Sequence, residues 1–254
     1  QENWYAEVEI EPNVIALSLM DGRYKFGSKT QNERDMVEHF EQLLKFGTCR
    51  NYYDILLYHF LAGMTNSKLF DDIELFGMIP SSDCSLNNDI FSFMHQTRII
   101  KGKRIPRNLP NGENILLRIS PKQKAHLSYS TDQRVAMGAK EEFKTICINP
   151  DFKNKINTLK KSGKFNVCIF DDYMTHGNSF NAVRNLLQQL GANKIIFVSL
   201  GSFGKPFQKK DYTITGDVFN TGYTYTLIGS SIKYLTYNDA AKDEVSELYD
   251  IFNS

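Results

Sequence analysis

The chain has 254 residues, 41% hydrophobic and 23% charged, enough for one large domain and too apolar for a disordered or collagen-like polymer. Its 30 Lys and Arg face 29 Asp and Glu, a formal charge of +1, which removes any global electrostatic case for binding nucleic acid or a membrane surface. Cys49, Cys84, Cys147 and Cys168 lie far apart with no C-x-x-C pair, so zinc and dithiol readings lack their spacing and reduced thiols in a cytoplasmic protein are expected.

No apolar run approaches the roughly 18–20 residues of a membrane span, and Gln1-Glu2-Asn3-Trp4 has neither the basic nor the apolar region of a secretory signal. Two extended runs, 4–10 and 14–20, are split by Glu11-Pro12-Asn13 and predict a hairpin or meander. From residue 32 the apolar positions Met36, Val37, Phe40, Leu43 and Leu44 recur at three and four residues until Gly47, which predicts a helix. A second helix, over 51–61, is rich in aromatics: Tyr52, Tyr53, Tyr58 and Phe60 read as core or interface. These elements form an amino-terminal α+β extension, 1–66, ahead of a main domain, 67–254.

The main domain opens with an apolar strand, 72–79, that feeds the tight loop Pro80-Ser81-Ser82-Asp83. A helix over 86–99 follows, then an irregular stretch to 114 carrying Arg98, Lys101, Lys103, Arg104 and Arg107. Those five cations within ten residues suit a solvated loop or one that catches pyrophosphate, nucleic acid or a partner. Strands at 115–119 and 145–148 flank a helix at 131–144. After Pro150 helices and strands alternate: helix 151–161, strand 165–170, helix 179–190, strand 194–200. Short strands at 212–214 and 223–228 and a closing helix at 240–252 complete the chain. Alternation of this kind predicts an α/β fold with a doubly wound, mostly parallel sheet flanked by helices.

The stretch that carries chemistry is Phe165-Asn166-Val167-Cys168-Ile169-Phe170-Asp171-Asp172-Tyr173-Met174-Thr175-His176-Gly177-Asn178-Ser179. A strand of this type delivers its loop to the carboxyl edge of a parallel sheet, where open α/β folds bind ligands. Gly177 lets the backbone approach a ligand, and the orphan amides of the next helix favour an anion. Adjacent acids at a strand end accept hydrogen bonds from sugar hydroxyls or hold Mg²⁺ through water. Taken singly, Asp171 and Asp172 would cap a turn and Ser179 a helix. Neither a Walker A nor a G-x-G-x-x-G pattern is present.

This string resembles the phosphoribosyl-pyrophosphate motif of the type I phosphoribosyltransferases: four apolar residues, two acids, two variable residues, then Thr-x-Gly-x-Ser/Thr. The resemblance implies the type I phosphoribosyltransferase fold and a Mg²⁺-dependent transferase acting on phosphoribosyl pyrophosphate and a nucleobase or nucleotide. On that basis Asp171 and Asp172 contact the ribose hydroxyls and hold Mg²⁺ indirectly, through water or those hydroxyls. Thr175, His176, Gly177, Asn178 and Ser179 cradle the 5-phosphate. The loop Pro80, Ser81, Ser82 and Asp83 stands where the family holds pyrophosphate. His176 replaces a commoner Thr at a position that contributes mainly backbone.

A second, looser similarity is to the ComF-type proteins. It lies in Leu116-Leu117-Arg118-Ile119, Gln123-Lys124-Ala125-His126-Leu127-Ser128, Gln133-Arg134 and Ala139-Lys140-Glu141-Glu142-Phe143. The Cys-rich zinc segment of that group is absent, and Leu86-Asn87-Asn88-Asp89 replaces its Arg-rich stretch. The alternative reading is an effector, toxin or binding subunit with this fold in a bacterial phage-defence complex, such as those built around reverse transcriptases. A homodimer or larger complex, and nucleic acid at the 98–107 loop, are the partners that reading implies.

Overall fold

A computed structural model of the chain describes residues 4–22, 31–122 and 138–254, with 130, 133, 135 and 136 between them. The amino-terminal hairpin forms as expected, from β1 (Ala6–Glu11) and β2 (Val14–Asp21), with Asn13 in the left-handed region at the turn. Three parallel partners follow later in the chain: β3 (Leu75–Met78), β6 (Asn166–Met174) and β7 (Lys194–Ser202). A two-residue strand, β10 (Thr236–Tyr237), closes the edge, giving one six-stranded sheet in the order β10-β1-β2-β7-β6-β3. β2, β7, β6 and β3 are mutually parallel, whereas β1 and β10 join as antiparallel neighbours.

Residues of the parallel strands alternate between two cores, as the two-residue period of a strand dictates. Val167, Ile169, Ile195 and Phe197 face one side; Cys168, Phe170, Ile196 and Val198 face the other, and all are buried. A sheet buried on both faces needs apolar residues at every position, which explains the unbroken hydrophobic runs. One face is covered by α1 (Gln31–Phe46), α2 (Arg50–Asn66), α3 (Asn88–Ile100) and α7 (Asp239–Asn253). The opposite face carries the short α4 (Lys140–Phe143), α5 (Lys153–Lys161) and α6 (Asn178–Gln189). The fold is thus α/β with a mostly parallel central sheet between helical layers.

The described residues up to 66 share this sheet and both cores: β2 runs parallel to β7 from Val14↔Ile195 to Asp21↔Ser202, and Trp4 and Phe60 pack with Phe70. Tyr52, Tyr53 and Phe60 of α2 are buried in the core, while Tyr58 is exposed. Of the helix expected over 131–144, the described residues are helical at 133, 135, 136 and Lys140–Phe143.

Two smaller antiparallel pairs lie outside the main sheet. β4 (Leu116–Arg118) and β5 (Ile146–Ile148) form one of them. Their seat on β3 depends on Gly77, where a Cβ would stand 2.3 Å from Ile115. Asn114 completes the join: its Oδ1 accepts from the Met78 amide at 2.9 Å, and its Nδ2 donates to the Met78 carbonyl at 2.9 Å.

The other pair corrects the short strands expected near 212 and 223. β8 (Phe207–Thr215) and β9 (Thr224–Lys233) form a long hairpin that lies against α6 instead of extending the parallel sheet. Asn181 and Asn185, one turn apart, pair with alternate residues of the open edge of β8. Asn181 Nδ2 donates to the Gln208 carbonyl (2.6 Å) and its Oδ1 accepts from Lys210 N (3.1 Å). Asn185 repeats the pattern at the Lys210 carbonyl (3.0 Å) and Tyr212 N (2.9 Å). Two amide side chains thereby satisfy backbone groups that would otherwise be costly to bury.

Candidate functional site

The site forms where β3 and β6 end side by side. Their register is Leu75↔Val167 to Met78↔Phe170, and Ile79 N donates to the Phe170 carbonyl at 2.8 Å. Pro80 therefore leaves the sheet next to Asp171. The two acids lie inside β6, not beyond it as read from the sequence: pairing with β7 continues through Asp171↔Ser199 to Met174↔Ser202. Residues that looked like loop are held as strand because β7 is equally long and supplies their backbone partners.

Asp172 is exposed and Asp171 half-buried. The Asp172 amide donates to Asp171 Oδ1 (2.9 Å), and the Tyr173 amide to Asp172 Oδ1 (2.6 Å). Burial first, then the neighbouring charge of Asp172 and that of Glu142, push the Asp171 carboxyl well above the ordinary range. Carboxylates crowded in this way are a donor set that a divalent cation relieves. No cluster of three or more His, Cys, Asp or Glu suited to a metal occurs among the described residues. A pair of acids completed by water and substrate oxygens is how Mg²⁺ is commonly bound, so the residues fit that ion.

After Met174 the chain crosses Thr175 and His176 and turns into α6 at Gly177, which has φ 76°. That value alone favours glycine, and so does the packing. A Cβ at Gly177 would fall 2.0 Å from the ring of Phe207, itself fully buried. Gln208 N also donates to the His176 carbonyl at 3.0 Å, so β8 forms one wall of the loop. No side chain caps α6, whereas Asn87 and Asn238 cap α3 and α7. The amino end of α6, where the helix dipole is positive, suits an anion.

The Ser179 hydroxyl does not point into open space. It donates to Glu142 Oε1 at 2.9 Å. Glu142 is buried and sits in a cage of cations: its Oε2 accepts from Arg118 Nη2 at 2.8 Å, and its Oε1 also accepts from Lys122 Nζ. Burial opposes its charge, but Lys122 and Arg118 prevail and hold the carboxyl below the usual range. Arg118 reaches onward to the Pro80 carbonyl (3.1 Å from Nη2) and to Thr145 Oγ1 (2.6 Å from Nη1). Lys122 N donates to the Ser82 carbonyl at 2.7 Å. One ionic cluster thus joins the 80–83 loop to the 175–179 loop.

Within the 80–83 loop, Asp83 acts on its own turn, where its Oδ1 accepts from the amide (3.0 Å) and hydroxyl (2.6 Å) of Ser85. Pro80, Ser81 and Ser82 lead the chain past the end of β6. Arg118 and Glu142 fall inside segments of the second resemblance, but that resemblance gives them no role, and Lys122 belongs to no motif. A buried acid in a stretch of charged residues reads in sequence as a solvated face. Of the same segments, Gln123, Lys124, Ala125, His126, Leu127, Ser128 and Arg134 lie outside the described residues.

The cations of the 98–107 stretch are largely committed internally. Arg98 pairs with Glu113 (3.2 Å), Lys101 with Asp71 (3.1 Å) and Lys103 with Glu74 (2.8 Å), while Arg104 and Arg107 are exposed. Phe203 stacks on Tyr173 with ring centroids 4.8 Å apart, and Phe207 is core. All four cysteines are free. Burial first, and then Asp217, push the Cys147 thiol up to about 11, and burial raises Cys168 as well, which disfavours the thiolate form at both. Among the described residues no helix is long and apolar enough to cross a membrane.

No protein-family profile matches the chain, and a search of curated proteins returns no match.

Proposed function

We propose that the protein is a Mg²⁺-dependent phosphoribosyltransferase of the type I fold, acting on phosphoribosyl pyrophosphate and a nucleobase or nucleotide. One observation carries this reading. The loop after β3 and the Thr-x-Gly-x-Ser loop that follows the two acids of β6 leave adjacent parallel strands at the same sheet edge, tied together through Arg118 and Glu142. A ligand with phosphate groups at both ends of a ribose fits that juxtaposition.

The chemistry follows from the residues. The positive amino end of α6 and the hydroxyls of Thr175 and Ser179 bind the 5-phosphate, with the Gly177 turn allowing close approach. Asp171 and Asp172 accept hydrogen bonds from the ribose hydroxyls and fix the ring. The Ser82 amide and the hydroxyls of Ser81 and Ser82 orient the pyrophosphate. The anomeric carbon to pyrophosphate bond breaks while a bond to the acceptor nitrogen forms, through an oxocarbenium-like state of the kind seen in glycoside hydrolysis. Mg²⁺, held by Asp171 and Asp172 through water or the ribose hydroxyls, would neutralise charge on the departing group. A nearly neutral chain can bind such a substrate because the neutralising groups are local.

The test is incubation with phosphoribosyl pyrophosphate, Mg²⁺ and a mixed pool of bases and nucleotides, with products identified by mass. Replacing Asp171 and Asp172 together by Asn is expected to lower transfer by roughly 10²–10³-fold, the scale of a lost transition-state contact. A product unaffected by the double substitution, or no product and no Mg²⁺-dependent thermal stabilisation by phosphoribosyl pyrophosphate, would refute the proposal.

A further inference from the structure

The two oxygens of Glu142 have different neighbours. Oε2 faces Arg118, whose side chain is 1% exposed and also holds Pro80 and Thr145. Oε1 faces Lys122 Nζ and the Ser179 hydroxyl. Two cations face one carboxylate, one more than charge balance requires, and Lys122 is the accessible one: its side chain is 18% exposed, against 1% for Arg118 and 3% for Glu142. Ser179 is one of the groups assigned above to phosphate. A cation and a hydroxyl with the right chemistry for a phosphate oxygen therefore both point at a carboxylate of the protein itself.

We infer that Glu142 is an internal counter-anion for the phosphate site, occupying Lys122 and Ser179 through Oε1 until a substrate phosphate takes them over. The inference rests on the phosphate assignment of the 175–179 loop, and it adds Lys122 to the substrate-binding groups and Glu142 as a positioning residue. The exchange works because Oε2 stays on Arg118 while Oε1 gives up its donors, so the carboxylate is never without a cation. It also sets a threshold. An incoming anion must compete with a built-in carboxylate and then lie beside it, which disfavours weakly charged anions and favours polyphosphates.

Inorganic pyrophosphate is the probe, titrated calorimetrically into the full chain at fixed ionic strength. If Glu142 competes for these donors, Glu142→Gln removes a like charge and binds pyrophosphate about tenfold more tightly than wild type. Lys122→Met binds it at least about tenfold more weakly. A second readout is independent of whether Glu142→Gln folds. The ¹⁵Nζ resonance of Lys122, assigned by its loss in Lys122→Met, should move saturably as pyrophosphate is added to wild type. A folded Glu142→Gln protein with equal or weaker affinity overturns the inference. So does a Lys122 signal unmoved at saturation, or no pyrophosphate binding by wild type. Pyrophosphate that displaces Glu142 while no base or nucleotide is ever ribosylated refutes the transferase reading alone. Transfer activity with an unmoved Lys122 signal refutes the internal counter-anion alone.

Discussion

Two arginine side chains are buried to the same degree in this molecule, and their surroundings are built differently. Arg184, on α6, is 1% exposed and reaches Glu11 Oε1 (2.9 Å), Asp211 Oδ1 (2.8 Å) and the Lys210 carbonyl (2.8 Å). Lys209 adds contacts to Glu11 (2.9 Å) and Asp211 (3.0 Å), so two cations meet two acids. All of these groups sit on β1, β8 and α6 and hold the hairpin to the sheet. Arg118 is also 1% exposed, but its cluster has two cations for a single acid, and that acid touches a loop of the candidate site. A cluster balanced in charge acts as a clamp. An unbalanced one keeps binding capacity in reserve.

The sharpest way to break the contrast is to remove each arginine. Arg184→Met leaves the charges of Glu11 and Asp211 facing Lys209, with Gln188 as a neutral donor to Glu11, and should cost roughly 3–5 kcal/mol of unfolding free energy. Arg118→Met leaves Lys122 to neutralise Glu142, so its cost should be smaller, about 2–3 kcal/mol, the scale of lost hydrogen bonds to a charged group. Urea denaturation of both proteins checks this, and equal losses would erase the distinction. Gly177→Ala is next in size. It combines a positive φ with a clash against Phe207, and should cost roughly 1–3 kcal/mol while weakening phosphate binding in the protein that remains folded.

The smallest effects concern pH and charge. Burial acts to raise Glu11, yet hydrogen bonds from Lys209 and Gln188 and the charge of Arg184 hold it below its usual 4.5. Its stabilisation is therefore fully present above pH 4.5 and is lost as the pH falls through the lower folded-state value. Glu142 has the same sign. Glu11→Gln should flatten the acid limb of stability, measured as urea midpoints from about pH 6 downwards. Asp171 has the opposite sign: its carboxyl is raised, so its charge costs stability above its ordinary value of 3.8. Asp171→Asn should raise the thermal midpoint at neutral pH, by about 2–4 °C for each kcal/mol relieved. An unchanged or lower midpoint would mean that Asp171 is not strained by its neighbours.

Features legible in the amino-acid sequence were periodic or strictly local. Alternation of apolar strands and amphipathic helices after Pro150 predicted the α/β class. The string Asp171-Asp172 to Ser179 located a strand end, a Gly turn and a helix start within nine residues, because those features depend on neighbours in the chain. Folding decided everything that depends on which charges meet. Arg118, Lys122, Glu142 and Ser179 span 62 positions and are joined only by the folding of β4 and α4 against α6. The 98–107 cations looked available until Asp71, Glu74 and Glu113 were brought to them. Asn181 and Asn185 read as ordinary polar helix residues until β8 was laid along them. Burial decides each of these cases. A charge or amide has no partner in sequence, and once removed from water it must find one in space.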